Sequence, residues 1–240
     1  MVCTTSTTGS SAYRAAGAFE QEPSRDQDMA VIAMTREIGS HGSDVAAGVA
    51  KQLGLKIANS EIIANDIAGS LGVGKNTVQR YIDGSASLFD RWQIDKRKLA
   101  QYTCQELLDL ALQGDVLIRG WGAAALFSDI PNVLSVRVCA PMAIRERVMM
   151  ERLGVKHPGS VRQEIENFDT AHTRTMRTAF NVERDDARLY HVVLNTGRVS
   201  VDDCVKIVCQ LARNPRYQND SSIKSALAER RRKINAGEHQ

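Results

Sequence analysis

Residues 31–45, Val31-Ile-Ala-Met-Thr-Arg-Glu-Ile-Gly39-Ser40-His41-Gly42-Ser43-Asp44-Val45, set an apolar run, a glycine-bearing turn and a helix start in immediate succession. The apolar run reads as a buried strand. The two glycines have two readings. They are either ordinary turn punctuation, or a cradle in which successive backbone N–H groups and the positive end of a helix converge on one anion.

The rest of the chain repeats the strand-then-helix rhythm. Helical spacing follows from Ser43 to Leu53; Leu55–Ala58 precedes a helix from Ser60; a helix spans Arg97 to Leu112; and strand-like runs recur at Val116–Arg119, Val133–Ala140 and Tyr190–Asn195. Strands alternating with helices indicate βαβ units, hence a parallel sheet covered on both faces. In such sheets ligands bind at the carboxyl ends of the strands, which directs attention to the loops after Thr35, Arg119, Ala140 and Asn195.

Three segments follow from composition. Residues 1–28 lack periodicity and read as a disordered N-terminal tail, residues 29–212 as one α/β domain, and residues 213–240 as a polar, basic C-terminal tail outside the core. The net charge is +3, but residues 213–240 hold seven Lys/Arg against three acids, and removing that excess leaves the rest near −1. Nucleic acid is therefore not an expected partner of the body. No run approaches the roughly 18 apolar residues of a membrane span, and no secretory apolar segment opens the chain. Five cysteines without a C-x-x-C pair suit reduced thiols, and the expected location is cytoplasmic.

The stretch Thr35-Arg36-Glu37-Ile38-Gly39-Ser40-His41-Gly42 is similar to the T/S-R-E-x-G-S-x-G signature of the cytidylate-kinase-like family, and Ile32 to Gly54 resembles that family's first strand, P-loop and helix without a gap. In that register the usual P-loop lysine falls on Gly42, and the Ser/Thr that meets magnesium falls on Ser43. His41 stands where glycine is commoner. The missing lysine removes a charge from the donor phosphates; Arg36 either replaces it from the front of the loop or is a structural surface residue.

Weaker agreement continues downstream. Arg119-Gly120-Trp121-Gly122 resembles the family's G-R-G turn, with Trp121 at the arginine; Trp121 then packs or stacks on a base, and Arg119 serves the phosphate or the fold. Ile144 to Arg152 resembles the approach to a nucleoside monophosphate kinase lid, with Arg145 and Arg152 on one helical face. Asp169-Thr-Ala-His172 resembles a D-x-x-R segment with histidine at the arginine, while Arg177 is kept; a helical surface pair is the other account of Asp169. Asp186-Ala-Arg188 and Asn195-Thr-Gly-Arg198 resemble the closing motif.

Two other strings compete. Gly69 to Thr77 has P-loop spacing but Asn76 at the metal position and a helical pattern before it. Asp66 to Ile82 resembles a helix-turn-helix, in which Thr77, Gln79 and Arg80 would face a DNA groove; a turn used for packing is the other reading.

The resemblance implies a P-loop NTPase-like, three-layer α/β/α domain with a central parallel sheet and helical insertions for the nucleoside monophosphate and the lid. It implies ATP and Mg2+ as cofactors and CMP or dCMP as acceptor. Gly39, Ser40, His41, Gly42 and Ser43 would cradle the donor, with Ser43 on the metal and Asn195 and Arg198 bordering the adenine. Arg36, Arg145, Arg152 and Arg177 would neutralise the transferring group, and Asn59, Arg119, Asp186 and Arg188 would hold the acceptor. A nucleotide-binding pseudokinase or sensor and a DNA-binding regulator are the alternative functions.

Overall fold

The computed structural model describes residues 30–82, 95–130, 132–218 and 221–236. The expected tail over residues 1–28 lies outside them. Five strands form one parallel sheet: β1 (Ile32–Arg36), β2 (Lys56–Ala58), β3 (Val116–Arg119), β4 (Leu134–Cys139) and β5 (Val192–Asn195), in the order β2-β3-β1-β4-β5. The helices are α1 (Gly42–Leu53), α2 (Ser60–Leu71), α3 (Lys75–Ile82), α4 (Lys96–Gln113), α5 (Ala123–Leu126), α6 (Met142–Leu153), α7 (Pro158–Phe180), α8 (Val201–Ala212) and α9 (Ser221–Asn235).

Strand alternation sends side chains to two faces. Val31, Ala33 and Ile118 pack with α2, α4, α5 and α9, whereas Ile32, Met34, Leu117, Leu134 and Val136 pack with α1 and α8. The three-layer sandwich follows from that division. From β1 the chain crosses to β2 on one side and returns through β3, then crosses to β4 and β5 on the other. The crevice where strand order reverses therefore opens beside β1, at the glycine turn.

Two expectations change. The last strand starts at Val192 rather than Tyr190, because Asp186 caps a 3-10 turn over Ala187–Leu189 that closes on Tyr190. The C-terminal segment does not lie outside the core: Ile223, Leu227 and Ile234 are buried in the same cluster as Leu107, Leu108 and Ala111 of α4. Its basic residues are also engaged, Arg230 with Asp129, Arg231 with Asp109 and Arg232 with Glu229. Burying a leucine fully is worth about 1.5–3 kcal/mol, so α9 is an integral element.

Candidate active site

The loops after β1, β4 and β5 meet at one edge of the sheet. Thr196 Oγ1 donates to Ser40 O at 2.8 Å, Glu37 N to Val138 O at 3.0 Å, and Glu37 Oε2 accepts from Ala140 N at 3.1 Å. Ser40 is fully buried: its hydroxyl donates to Glu37 O at 2.7 Å and its N–H to the same oxygen at 3.2 Å, so side chain and backbone together close the turn. Asn195 likewise closes its own loop, accepting from Gly197 N at 2.9 Å, and Arg198 follows it exposed.

Gly39 and Gly42 are required by contact. Gly39 has φ 77°, and a Cβ there would lie 2.5 Å from Arg145 O at the start of α6. A Cβ at Gly42 would lie 2.6 Å from Arg36 Cβ. The stem of Arg36 thus occupies the space beside the position where the family's lysine would stand. His41 adopts φ 56° before α1 and pairs through Nδ1 with Asp44 Oδ2 at 2.7 Å; Ser43 is half-buried in the first turn of α1.

Three arginines converge here. Burial, then the charges of Arg119 and Arg152, bring the Arg36 guanidinium down to about 10, with Asp44 opposing them. Arg119, at the end of β3, is lowered by burial and then by Arg152. Arg152, in the last turn of α6, reaches Asp44 at 3.0 Å. Arg36 Nε is buried without a hydrogen-bond partner. Like charges at this spacing, with an unsatisfied buried donor, are costly unless an anion joins them.

Arg145, expected among the free cations, is placed otherwise. It is 4% exposed; Nε donates to Ile38 O at 2.8 Å, and its two terminal nitrogens donate to Asp169 at 2.8 and 3.0 Å. It belongs to a closed ring of alternating charge: Arg145 to Asp169, Asp169 to Arg184 at 3.2 Å, Arg184 to Asp185 at 3.4 Å, Asp185 to Arg137 at 2.5 Å, Arg137 to Glu37 at 2.9 Å, and Glu37 to Arg145 at 3.7 Å. Sequence reading missed Glu37, Arg137 and Arg184; the signal for Arg137 was a charge inside an apolar strand, which needs buried partners.

The remaining expected residues are spread more widely. Arg177 on α7 is exposed and paired with Glu183 at 2.7 Å. It lines an open cleft of about 560 Å³ with Thr173, Arg174, Arg184 and Asp185. Asp186 and Arg188 pair with each other at 2.7 Å on the exposed 3-10 turn, and the bonds from Arg188 bring the Asp186 carboxyl down to about 2. Asn59 precedes α2, its Oδ1 accepting from Glu61 N at 3.0 Å. Trp121, in a turn where Gly120, Trp121 and Gly122 all have positive φ, packs against the larger core cluster, and His172 stacks on Phe168 with ring centroids 4.2 Å apart. The helix-turn-helix reading loses Thr77, which is buried, and the second P-loop-like string spans the end of α2 and the start of α3 instead of following a strand.

The signature of the cytidylate kinase-like family matches residues 31–198. The cytidylate kinase of Pyrobaculum aerophilum is 24% identical over 181 residues, 75% of this chain and 90% of the relative. That of Saccharolobus islandicus is 22% identical over 197 residues, covering 80% of this chain and 98% of the relative. An uncharacterized protein from Eubacterium ventriosum superposes with a TM-score of 0.59 at 20% identity, over 77% of this chain and 99% of that one.

Proposed function

This chain belongs to the cytidylate kinase-like family, and from that premise we propose that it transfers a phosphoryl group from Mg-ATP to a nucleoside monophosphate, with CMP or dCMP as acceptor. The observation that carries the reading is the convergence of Arg36, Arg119 and Arg152 on the glycine turn, with Arg36 Nε buried and unsatisfied.

The residues fit a polyphosphate. Backbone N–H groups of Gly39 and of His41 to Ser43 would bind and orient the donor phosphates, with Ser40, whose own N–H goes to Glu37 O, closing the turn that cradles them. Arg36 would bring its guanidinium to them in place of the lysine. Arg152 would face the transferring group, and the exposed Arg177 would exchange Glu183 for it. Asn195 and Arg198 would border the donor base; Asn59, Arg119, Asp186 and Arg188 would hold the acceptor.

Among the described residues no group of three His, Cys, Asp or Glu side chains could hold a metal. That suits magnesium, which keeps several waters and needs one or two protein ligands beside the phosphates; Ser43 would supply a hydroxyl. When bound, the ion neutralises charge on the phosphate oxygens. The chain's own part is positioning and electrostatic stabilisation, with no covalent intermediate.

ADP release with Mg-ATP and a panel of nucleoside monophosphates tests the reading, which expects turnover on CMP or dCMP above every other acceptor. The sensor reading draws on Trp121 and His172, which pack on apolar and aromatic neighbours where the family carries arginines. Mg-ATP binding with no turnover on any acceptor would favour it.

A further inference from the structure

A phosphate loop works only if its peptide N–H groups face the anion and its carbonyls face away. Here the Ile38 carbonyl is held by Arg145 Nε at 2.8 Å. In a trans peptide the C=O and the following N–H point in opposite directions. Fixing the Ile38 carbonyl on Arg145 therefore fixes the direction of the Gly39 N–H. The close approach of Arg145 O to Gly39 confirms that α6 abuts this peptide.

Arg145 cannot hold that orientation alone, because an arginine has several rotatable bonds. Asp169 on α7 takes its two terminal nitrogens together, the fork geometry that most restricts a guanidinium. Asp169 is itself held by Arg184, at 3.2 Å. Arg184 O in turn accepts from Arg137 at 2.9 Å and from the Tyr190 hydroxyl at 2.8 Å. The ring thus runs from α7 through β4 and back to Glu37, the residue before Ile38. Every member but Asp185 is largely buried, so solvent does little to loosen it.

We infer that Asp169 and Arg145 are positioning residues of the phosphate loop, which use the buried ring to turn the Ile38–Gly39 peptide N–H into the glycine turn. Neither needs to touch a ligand. A bracket of this kind also ties the lid helices to the loop: displacing α7 would withdraw Asp169, free Arg145 and release the peptide.

Two variants of the full chain test this. Asp169→Asn keeps the shape but removes the charge; Arg145→Lys keeps a cation for Asp169 but loses the planar fork and its Nε. Backbone hydrogen exchange of the ligand-free protein, read over residues 36–43 and over β1, β3 and β4, is measured beside affinity for Mg-ATP. The inference expects exchange to quicken in the loop while the strands keep wild-type protection, and Mg-ATP affinity to fall about tenfold in both variants. Wild-type loop exchange in a folded Arg145→Lys protein would overturn it, as would quickening spread evenly over loop and strands. The affinity arm alone rests on the proposed nucleotide reading. A wild-type protein that fails to bind Mg-ATP, with loop-specific exchange in the variants, would sink that reading and leave the positioning role standing.

Discussion

At the scale of single residues, the glycine turn explains its own departure from the usual P-loop. A side chain at position 42 would meet the Arg36 stem at 2.6 Å, so lysine there and arginine at 36 exclude each other. Gly42→Ala should therefore cost about 1–3 kcal/mol, by overpacking, and weaken Mg-ATP binding; denaturant midpoints and equilibrium titration measure the two effects. Asp169 supplies a pH prediction. Burial works to raise its carboxyl, but hydrogen bonds and charge from Arg145, then Arg184, outweigh burial and hold it below the ordinary 3.8. A depressed folded value means that stabilisation is complete above the unfolded value and is lost as pH falls through the folded one. Acid unfolding of the wild type should thus steepen below about pH 4, and Asp169→Asn should flatten that limb while lowering stability at neutral pH. The glycine turn was legible because the strand, the two glycines and the helix start fall in one short segment. The ring was not, because Glu37 and Arg137 are a hundred residues apart and only the strand pairing of β1 and β4 makes them neighbours.

At the scale of elements, all five strands were readable from apolar runs, since a strand covered on both faces tolerates few polar side chains. The burial of α9 escaped because its buried stripe is Ile223, Leu227 and Ile234 among charged residues. Its weight is testable. Leu227 is fully buried against α4, and Leu227→Ala should lower stability by about 2–5 kcal/mol in chemical denaturation. A loss below about 0.5 kcal/mol would mark α9 as an appendage. The pair α2 and α3 does form a helix-turn-helix between β2 and β3, but Thr77 in it is buried and cannot face a DNA groove.

At the scale of the whole molecule, three of the basic residues of α9, Arg230, Arg231 and Arg232, pair with Asp129, Asp109 and Glu229, which reduces the charge that helix offers a polyanion. Duplex DNA at low salt should therefore give no salt-sensitive shift, because such binding scales with the phosphates neutralised. Among the described residues no helix is long and apolar enough to cross a membrane. The sheet order, the three stitched loops and the arginines gathered there support the proposal that Arg36 does the work of the absent lysine. The most direct test is the turnover of Arg36→Met, which keeps the stem over Gly42 and removes the charge, measured beside the wild type with Mg-ATP and the best acceptor. A fall of about 10²–10³-fold is expected, with an unfolding midpoint at or above that of the wild type because a buried unsatisfied charge is removed; turnover within twofold of the wild type would refute the role of Arg36.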